Sequence, residues 1–257
     1  MSPILFEINN SIGFIALNRP EKFNAFNREM ALLMQEKLDE CKQEAIRAVF
    51  ISGTGKAFSA GQDISELVGE NKIELKQILS EHYNPIVTRI RALEKPVIAA
   101  VNGVAAGAGA NIALCCDVVV AAESASFLQA FSKIGLIPDS SGTYFLPRLI
   151  GWQKASALSM LGDKVAASDA ERMGMVYKVF PDERFREESI KIAETLAKMP
   201  TKGLAFTKQL LDRSFTNSLN EQLQQEDIFQ QQAAGTSDYQ EGINAFLEKR
   251  PATFKGK

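Results

Sequence analysis

The sequence predicts an α/β protein with a β-containing front half and a helical rear. Short β-rich runs recur through the first half, each leading into a glycine-containing turn or an amphipathic helix. Beyond residue 140 the pattern turns almost wholly helical. No low-complexity linker divides the 257 residues, and an apolar share of 46% supports one sizeable core.

At the amino end, "ILFEI" and "IGFIALN" alternate apolar and polar residues around "NNS", which predicts a hairpin. Asn27 stands where a helix N-cap belongs, ahead of "REMALLMQEKLDECKQE" with Met30, Leu33, Met34 and Leu38 at helical spacing. "RAVFISG" predicts a further strand. "KPVIAAVNG" and "CDVVVAA" predict two more, flanking "GAGANIALC", a tight turn into a buried helix. Asn102, Asn111 and Asp117 interrupt the apolar stretch from Val97 to Ala122, so it is read as buried strands around a helix rather than a membrane span. In the rear, "GTYFLPRLIG", "WQKASALSMLG" and "SDAERMG" predict helices, "VYKVF" a short strand, and Asp182 to Lys249 long amphipathic helices. The expected division is a core of residues 1–195 and a helical extension of residues 196–257.

Lys and Arg total 29 against 31 Asp and Glu, so no basic excess is available to hold a phosphate backbone, and nucleic acid is not expected as a partner. The start "MSPILFEINNSIGF" lacks the pattern of a signal peptide, and three cysteines (Cys41, Cys115, Cys116) cannot all pair. A reducing, cytoplasmic setting is expected. The single histidine, His82, makes a zinc site of usual composition improbable and leaves no evident base for serine hydrolysis; its segment "LSEHYNPIVTRI" has helical period and places His82 on a helix surface.

Glycine-rich turns end three segments: "SGTGKAFSAGQD" (52–63), "NGVAAGAGAN" (102–111) and "KIGLIPDSSG" (133–142). Main-chain N–H groups exposed at such turns suit negative charge, either phosphate or a developing oxyanion. Neither the P-loop nor the dinucleotide spacing is present; Ile112 follows where the latter wants glycine. The last stretch carries Asp139. Asp-Ser-Ser-Gly before an apolar helix is also the pattern of an N-cap, so Asp139 is read from pattern alone as a cap or as a chemical group.

"LNRPEKFNAFN", "GKAFSAGQDI", "KPVIAAVNGVAAGAGANIALCCDVVVAA" and "FSKIGLIPDSSGTYFLPRLIG" together resemble the successive motifs of the crotonase, or enoyl-CoA hydratase/isomerase, superfamily. The resemblance implies a crotonase-like spiral of ββα units, a helical C-terminal trimerisation region, and a homotrimer or dimer of trimers. It implies an acyl-CoA thioester substrate, with coenzyme A as part of the substrate and no further cofactor or metal. The thioester oxygen would sit between the main-chain N–H groups of Gln62 and Ala108. Coenzyme A contacts would fall on Lys22, Phe23, Ala60, Asp63 and Ile64, with Phe254 and Lys257 added by a neighbouring subunit's tail. The two glutamates with which hydratases of the family activate water correspond to Asn111 and Phe131, neither of which can act as a base. Asp139 stands where isomerases of the family carry their single acid, with Leu136, Ile137, Phe145 and Leu146 expected to desolvate it. The resemblance therefore implies an isomerase, and "HYNPIVTRI", "AFSKIGLIPD" and "SDYQEGINAFLEKR" resemble the branch that acts on an aromatic ring epoxide. The alternatives are a linear Δ3,Δ2-enoyl-CoA isomerase and a non-catalytic acyl-CoA or RNA-binding homologue.

Overall fold

The alternating runs at the amino end pair as an antiparallel hairpin of β1 (Ile4–Asn9) and β2 (Ile12–Leu17), with Ile4 opposite Leu17. Asn10 and Ser11 form its turn at φ 49° and 60°; two left-handed residues give the turn whose twist matches the strands. The computed structural model describes residues 2–69 and 72–257. Asn27 caps α1 (Arg28–Glu40) as its position predicts, its side chain accepting from the Met30 N–H at 3.0 Å.

Three strand pairs follow: β3 (Ala48–Gly53) with β4 (Ala57–Ser59), β5 (Val97–Val101) with β6 (Val104–Ala106), and β7 (Val118–Ala122) with β8 (Ser126–Leu128). Each pair gives its first strand to one sheet and its second to another. With β9 (Lys164–Ala166) and β10 (Lys178–Phe180), the described residues form a six-stranded sheet ordered β1-β2-β3-β5-β7-β10 and a four-stranded sheet ordered β4-β6-β8-β9. Between pairs run α2 (Leu75–Gln77), a π-helical turn at Ile78–Tyr83, α3 (Asn84–Ala92), and later α4 (Ala108–Leu114). This is the expected ββα spiral. All five residues of β5 are buried, as a strand covered on both faces requires.

Helices dominate the rear: α5 (Gly142–Ile150), α6 (Trp152–Leu161), α7 (Ala167–Arg172), α8 (Asp182–Lys198), α9 (Thr201–Arg213), α10 (Leu219–Ala234) and α11 (Ser237–Glu248). Helix α8 packs on β3, β7 and β10, and it runs past the boundary expected at residue 195. Asp117, which interrupts the apolar run, ties these helices to the sheet. Its carboxylate pairs with Arg91 at 2.8 Å and Lys208 at 2.9 Å and accepts from the Val97 N–H at 2.8 Å, while Arg91 also reaches Asp212 at 2.6 Å. Partly buried charges of both signs pair there around Asp117.

His82 is not on a helix surface. The π turn adds a residue to the helical phase and carries His82 and Tyr83 inward, where both are fully buried and their rings meet at 6.3 Å. Neither ring nitrogen has a hydrogen-bond partner among the described residues, and burial pushes the imidazole below its ordinary pKa.

Asn24 ties the amino segment to the end of β3. Fully buried at φ 55°, it accepts from the Arg19 N–H at 2.8 Å and donates to the carbonyls of Thr54 and Ala57 at 2.9 and 2.8 Å. Asn24→Ala strands these groups and places an alanine in left-handed backbone. Urea denaturation should show a loss of about 2–4 kcal/mol.

Candidate active site

The two glycine turns beyond β4 and β6 meet. Ser59 Oγ donates to the Asn24 carbonyl at 2.8 Å and accepts from the Gly61 N–H at 3.2 Å. The Phe26 N–H donates to the Gly61 carbonyl at 2.7 Å and the Asp63 N–H to the Phe26 carbonyl at 2.8 Å. Gln62 is thus held on both sides, while its own N–H takes no acceptor from the described residues. Gly61 lies at φ 89°, and a Cβ there would stand 2.9 Å from the Ala106 carbonyl oxygen and 3.3 Å from the Ala108 nitrogen. Only glycine permits that approach.

On the other side of the contact, Gly107 turns at φ 52°, ψ −128° into α4, whose first residue is Ala108. A Cβ on Gly109 would lie 2.6 Å from Ser59 Oγ, so α4 also packs against β4 without a side chain between them. The Ala108 N–H, like that of Gln62, takes no acceptor from the described residues. Two main-chain donors therefore flank one close contact of the chain with itself, and a helix N-terminus adds partial positive charge to one of them.

Asp139 is brought to the same place by Asn111. The Asn111 Nδ2 of α4 donates to the Asp139 carbonyl at 2.8 Å, and Asn111 Oδ1 accepts from Gln129 Nε2 at 2.8 Å. Ser140 and Ser141 then lie at φ 50° and 67°, so α5 starts at Gly142 with Ser141 as its cap residue. The N-cap reading of Asp139 does not hold: its carboxylate accepts from Ser140 Oγ at 2.9 Å and from no amide of α5. Burial pushes the carboxyl above its ordinary pKa, against hydrogen bonds from Ser140 and the residue's own amide. Of the expected neighbours, Leu146 is buried and Leu136 and Phe145 half-buried, but Ile137 is 79% exposed and desolvates nothing. Phe131 is buried, and its ring faces Gly107, 3.7 Å from where a Cβ would be.

Tyr83 is the residue that the sequence reading missed. Its hydroxyl donates to Gln62 Oε1 at 2.8 Å. The nearest signal was "HYNPIVTRI", but reading that segment as unbroken α-helix gives the wrong phase.

Lys22, Phe23, Ala60 and Ile64 are exposed, and the Ala60 N–H is bonded to the Phe23 carbonyl at 2.9 Å, which places Phe23 next to the turn that carries Gln62. Asp63 differs. Its carboxylate pairs with Arg19 at 2.8 Å and caps the turn Ile64–Leu67 through Ser65. Burial pushes its carboxyl up, but the bonds from Ser65 and Arg19 outweigh that and hold it below its ordinary value. Its side chain is structural. Asn111, expected against substrate, has its amide committed to Gln129 and Asp139.

Phe254 and Lys257 lie elsewhere in the chain. Arg47 Nη1 donates to the Phe254 carbonyl at 2.7 Å, and Lys257 pairs with Glu44 at 2.7 Å. Both anchors precede β3, whereas the site lies beyond its other end, about 17–20 Å away along a strand of this length.

Paired free N–H groups beside one desolvated acid, on a spiral of ββα units, define a crotonase-type enzyme. The chain belongs to the enoyl-CoA hydratase/isomerase family, whose profile matches residues 7–257. It is 42% identical to the 1,2-epoxyphenylacetyl-CoA isomerase of Escherichia coli K12, with 100% of both chains covered. It is 41% identical to the "Probable enoyl-CoA hydratase" of Rhodobacter capsulatus, covering 99% of this chain and 98% of that protein. The crystal structure of an enoyl-CoA hydratase from Bacillus anthracis superimposes with a TM-score of 0.92 at 32% identity, over 99% of this chain and 100% of that one.

A buried acid with a raised pKa costs stability wherever it must be ionised, so that cost is fully present above its folded pKa and absent below the unfolded value of about 3.9. Asp139→Asn should therefore be more stable than the parent in urea at pH 7, and the difference should shrink as the pH falls toward 4. A residue that served only as a cap would show no such gain.

Proposed function

We propose that the protein is an acyl-CoA isomerase in which Asp139 shuttles a proton and the N–H groups of Gln62 and Ala108 hold the thioester oxygen. The observation that carries this is the half-buried carboxylate of Asp139, free of any capping bond to α5 and raised in pKa by desolvation, beside two donors without acceptors. Near-equal identity to proteins named as isomerase and as hydratase leaves the choice to the site. Hydration asks for carboxylates that orient and deprotonate water. Asn111 offers an amide already bonded at both ends, and Phe131 places an aromatic ring against Gly107.

The chemistry that follows is economical. The thioester oxygen accepts two main-chain hydrogen bonds, Asp139 takes the proton from the carbon next to the carbonyl, and the negative charge spreads onto that oxygen as an enolate. The same carboxyl returns the proton at a different carbon of the delocalised system. Its raised pKa keeps it a usable base and then a usable acid. The resemblance and the Escherichia coli relative's name favour ring-1,2-epoxyphenylacetyl-CoA as substrate and the oxepin thioester as product, in phenylacetate catabolism. A linear 3-enoyl-CoA would use the same acid and donors. Buried, unpaired Cys41, Cys115 and Cys116 fit a reducing cytoplasm.

The assembly that fits this reading is a homotrimer or dimer of trimers. Phe246 and Leu247 on α11 and Leu219 and Leu223 on α10 leave large apolar side chains exposed. A part for Phe254 and Lys257 in binding coenzyme A requires such a neighbour, because within one chain they dock beyond the wrong end of β3.

Incubation with aromatic-epoxide and linear 3-enoyl-CoA thioesters, with products identified by mass and ultraviolet spectrum, tests the assignment. Asp139→Asn should lower isomerisation by about 100-fold to 10,000-fold. Hydration of crotonyl-CoA at about 10 per second or faster would overturn it. Ala108→Pro, which deletes one N–H, should cost roughly 100-fold in rate in a folded variant, whereas Ala108→Gly should be tolerated.

A further inference from the structure

A main-chain donor cannot be aimed by choosing a side chain, so something else must fix the peptide that carries it. For Ala108 the answer is the helix it begins. Gln62 has no helix behind its N–H, since the turn at Ile64–Leu67 starts after it. Its side chain, however, is gripped at both ends. Oε1 accepts from the Tyr83 hydroxyl at 2.8 Å, and Nε2 donates to Glu66 Oε2 at 2.9 Å, while Glu66 Oε1 accepts from the Arg28 N–H at 2.8 Å.

We propose that Tyr83 is a positioning residue of the thioester site: by donating its proton to Gln62 Oε1, it fixes the Gln62 peptide so that the N–H points at the substrate carbonyl. The inference rests on the proposed thioester reading. Tyr83 is suited to this because it cannot move. It is fully buried on the π turn, with its ring edge-on to Phe26 at 6.0 Å and to His82 at 6.3 Å, and Phe26 itself brackets Gln62 through the Gly61 and Asp63 bonds. A phenol has one proton. With that proton given to Gln62, Tyr83 has none for Asp139, whose carboxylate accepts from Ser140 as its side-chain donor. One hydroxyl thus steadies the electrophilic side of the site without solvating the acid.

Tyr83→Phe keeps both ring contacts and removes the hydrogen bond. Bound cinnamoyl-CoA labelled with carbon-13 at the carbonyl is a suitable probe, because it has no γ-hydrogen and cannot isomerise. Its carbonyl infrared band reports hydrogen bonding at the thioester oxygen directly. In the parent the band should move to lower frequency than in free solution. In Tyr83→Phe it should move back toward the free value and broaden, and kcat for isomerisation should fall about 10-fold with KM within about twofold. Gln62→Leu keeps the N–H but cannot accept from Tyr83. It should reproduce the band shift, and the double variant should be no worse than either single one.

A parent-like band and kcat in folded Tyr83→Phe would overturn the inference while leaving the thioester reading intact. A parent that leaves the carbonyl band of bound cinnamoyl-CoA unmoved would overturn both. If Tyr83→Phe fails to fold, a parent-like band in Gln62→Leu overturns the inference and a relaxed band supports it.

Discussion

The structure depends on one close approach of the chain to itself, at Gly61 and Ala108. Strands β4 and β6 run parallel, and their turns carry backbone into contact where neither a Cβ at Gly61 nor one at Gly109 could fit. Hydrogen bonds from Ser59, Phe26 and Asp63 close one side, and the Gly107 N–H bonded to the Leu128 carbonyl at 2.8 Å closes the other. What remains are two N–H groups whose natural partners the fold has removed. An unsatisfied donor at such a place costs roughly 1–3 kcal/mol, and that cost falls away when an acceptor arrives. In the proposed function the thioester oxygen would supply that acceptor, at a place the glycines leave open.

The acid obeys the opposite logic. A carboxylate that accepts several hydrogen bonds is held ionised and is a poor base, as Asp63 shows with the Ser65 amide and hydroxyl and the Arg19 guanidinium. Asp139 escapes that fate because Ser140 and Ser141 turn left-handed and move the start of α5 beyond its reach. Two aspartates a few residues from equally apt helical turns thus end on either side of the ordinary carboxyl pKa. The difference lies in the partners each backbone makes available: the Ser65 hydroxyl, the Arg19 guanidinium and the Ser65 amide for Asp63, and the Ser140 hydroxyl for Asp139.

Much of this was legible in the sequence, and the failures have physical causes. The hairpin, the Asn27 cap and the long buried strands follow from alternation, capping chemistry and β-rich runs. Strands β4, β6, β8 and β9 are three residues each, too short to show a period, so the second sheet was hidden. Asp139 matched a cap pattern because sequence does not reveal left-handed serines. The π turn shifted the phase that put His82 outside, and the same shift concealed Tyr83. Main-chain donors leave no letter of their own; the glycines around them are the trace that remains.

The link from Asn111 to the Asp139 carbonyl reaches further than a single hydrogen bond. Left-handed backbone at two consecutive serines is held against their intrinsic preference, at about 1–2 kcal/mol each. The strap is kept there by Asn111 and by the Gly142 N–H, which share one carbonyl oxygen at 2.8 Å each. In the proposed isomerisation, position 111 would act twice, first by offering an amide where a base could stand and then by fixing the backbone that carries Asp139. Gly142 belongs to the same arrangement, since a Cβ there would stand 2.3 Å from the Asn111 amide nitrogen, so the placement of the Asp139 carboxylate rests on the residues at 111 and 142 as much as on position 139 itself.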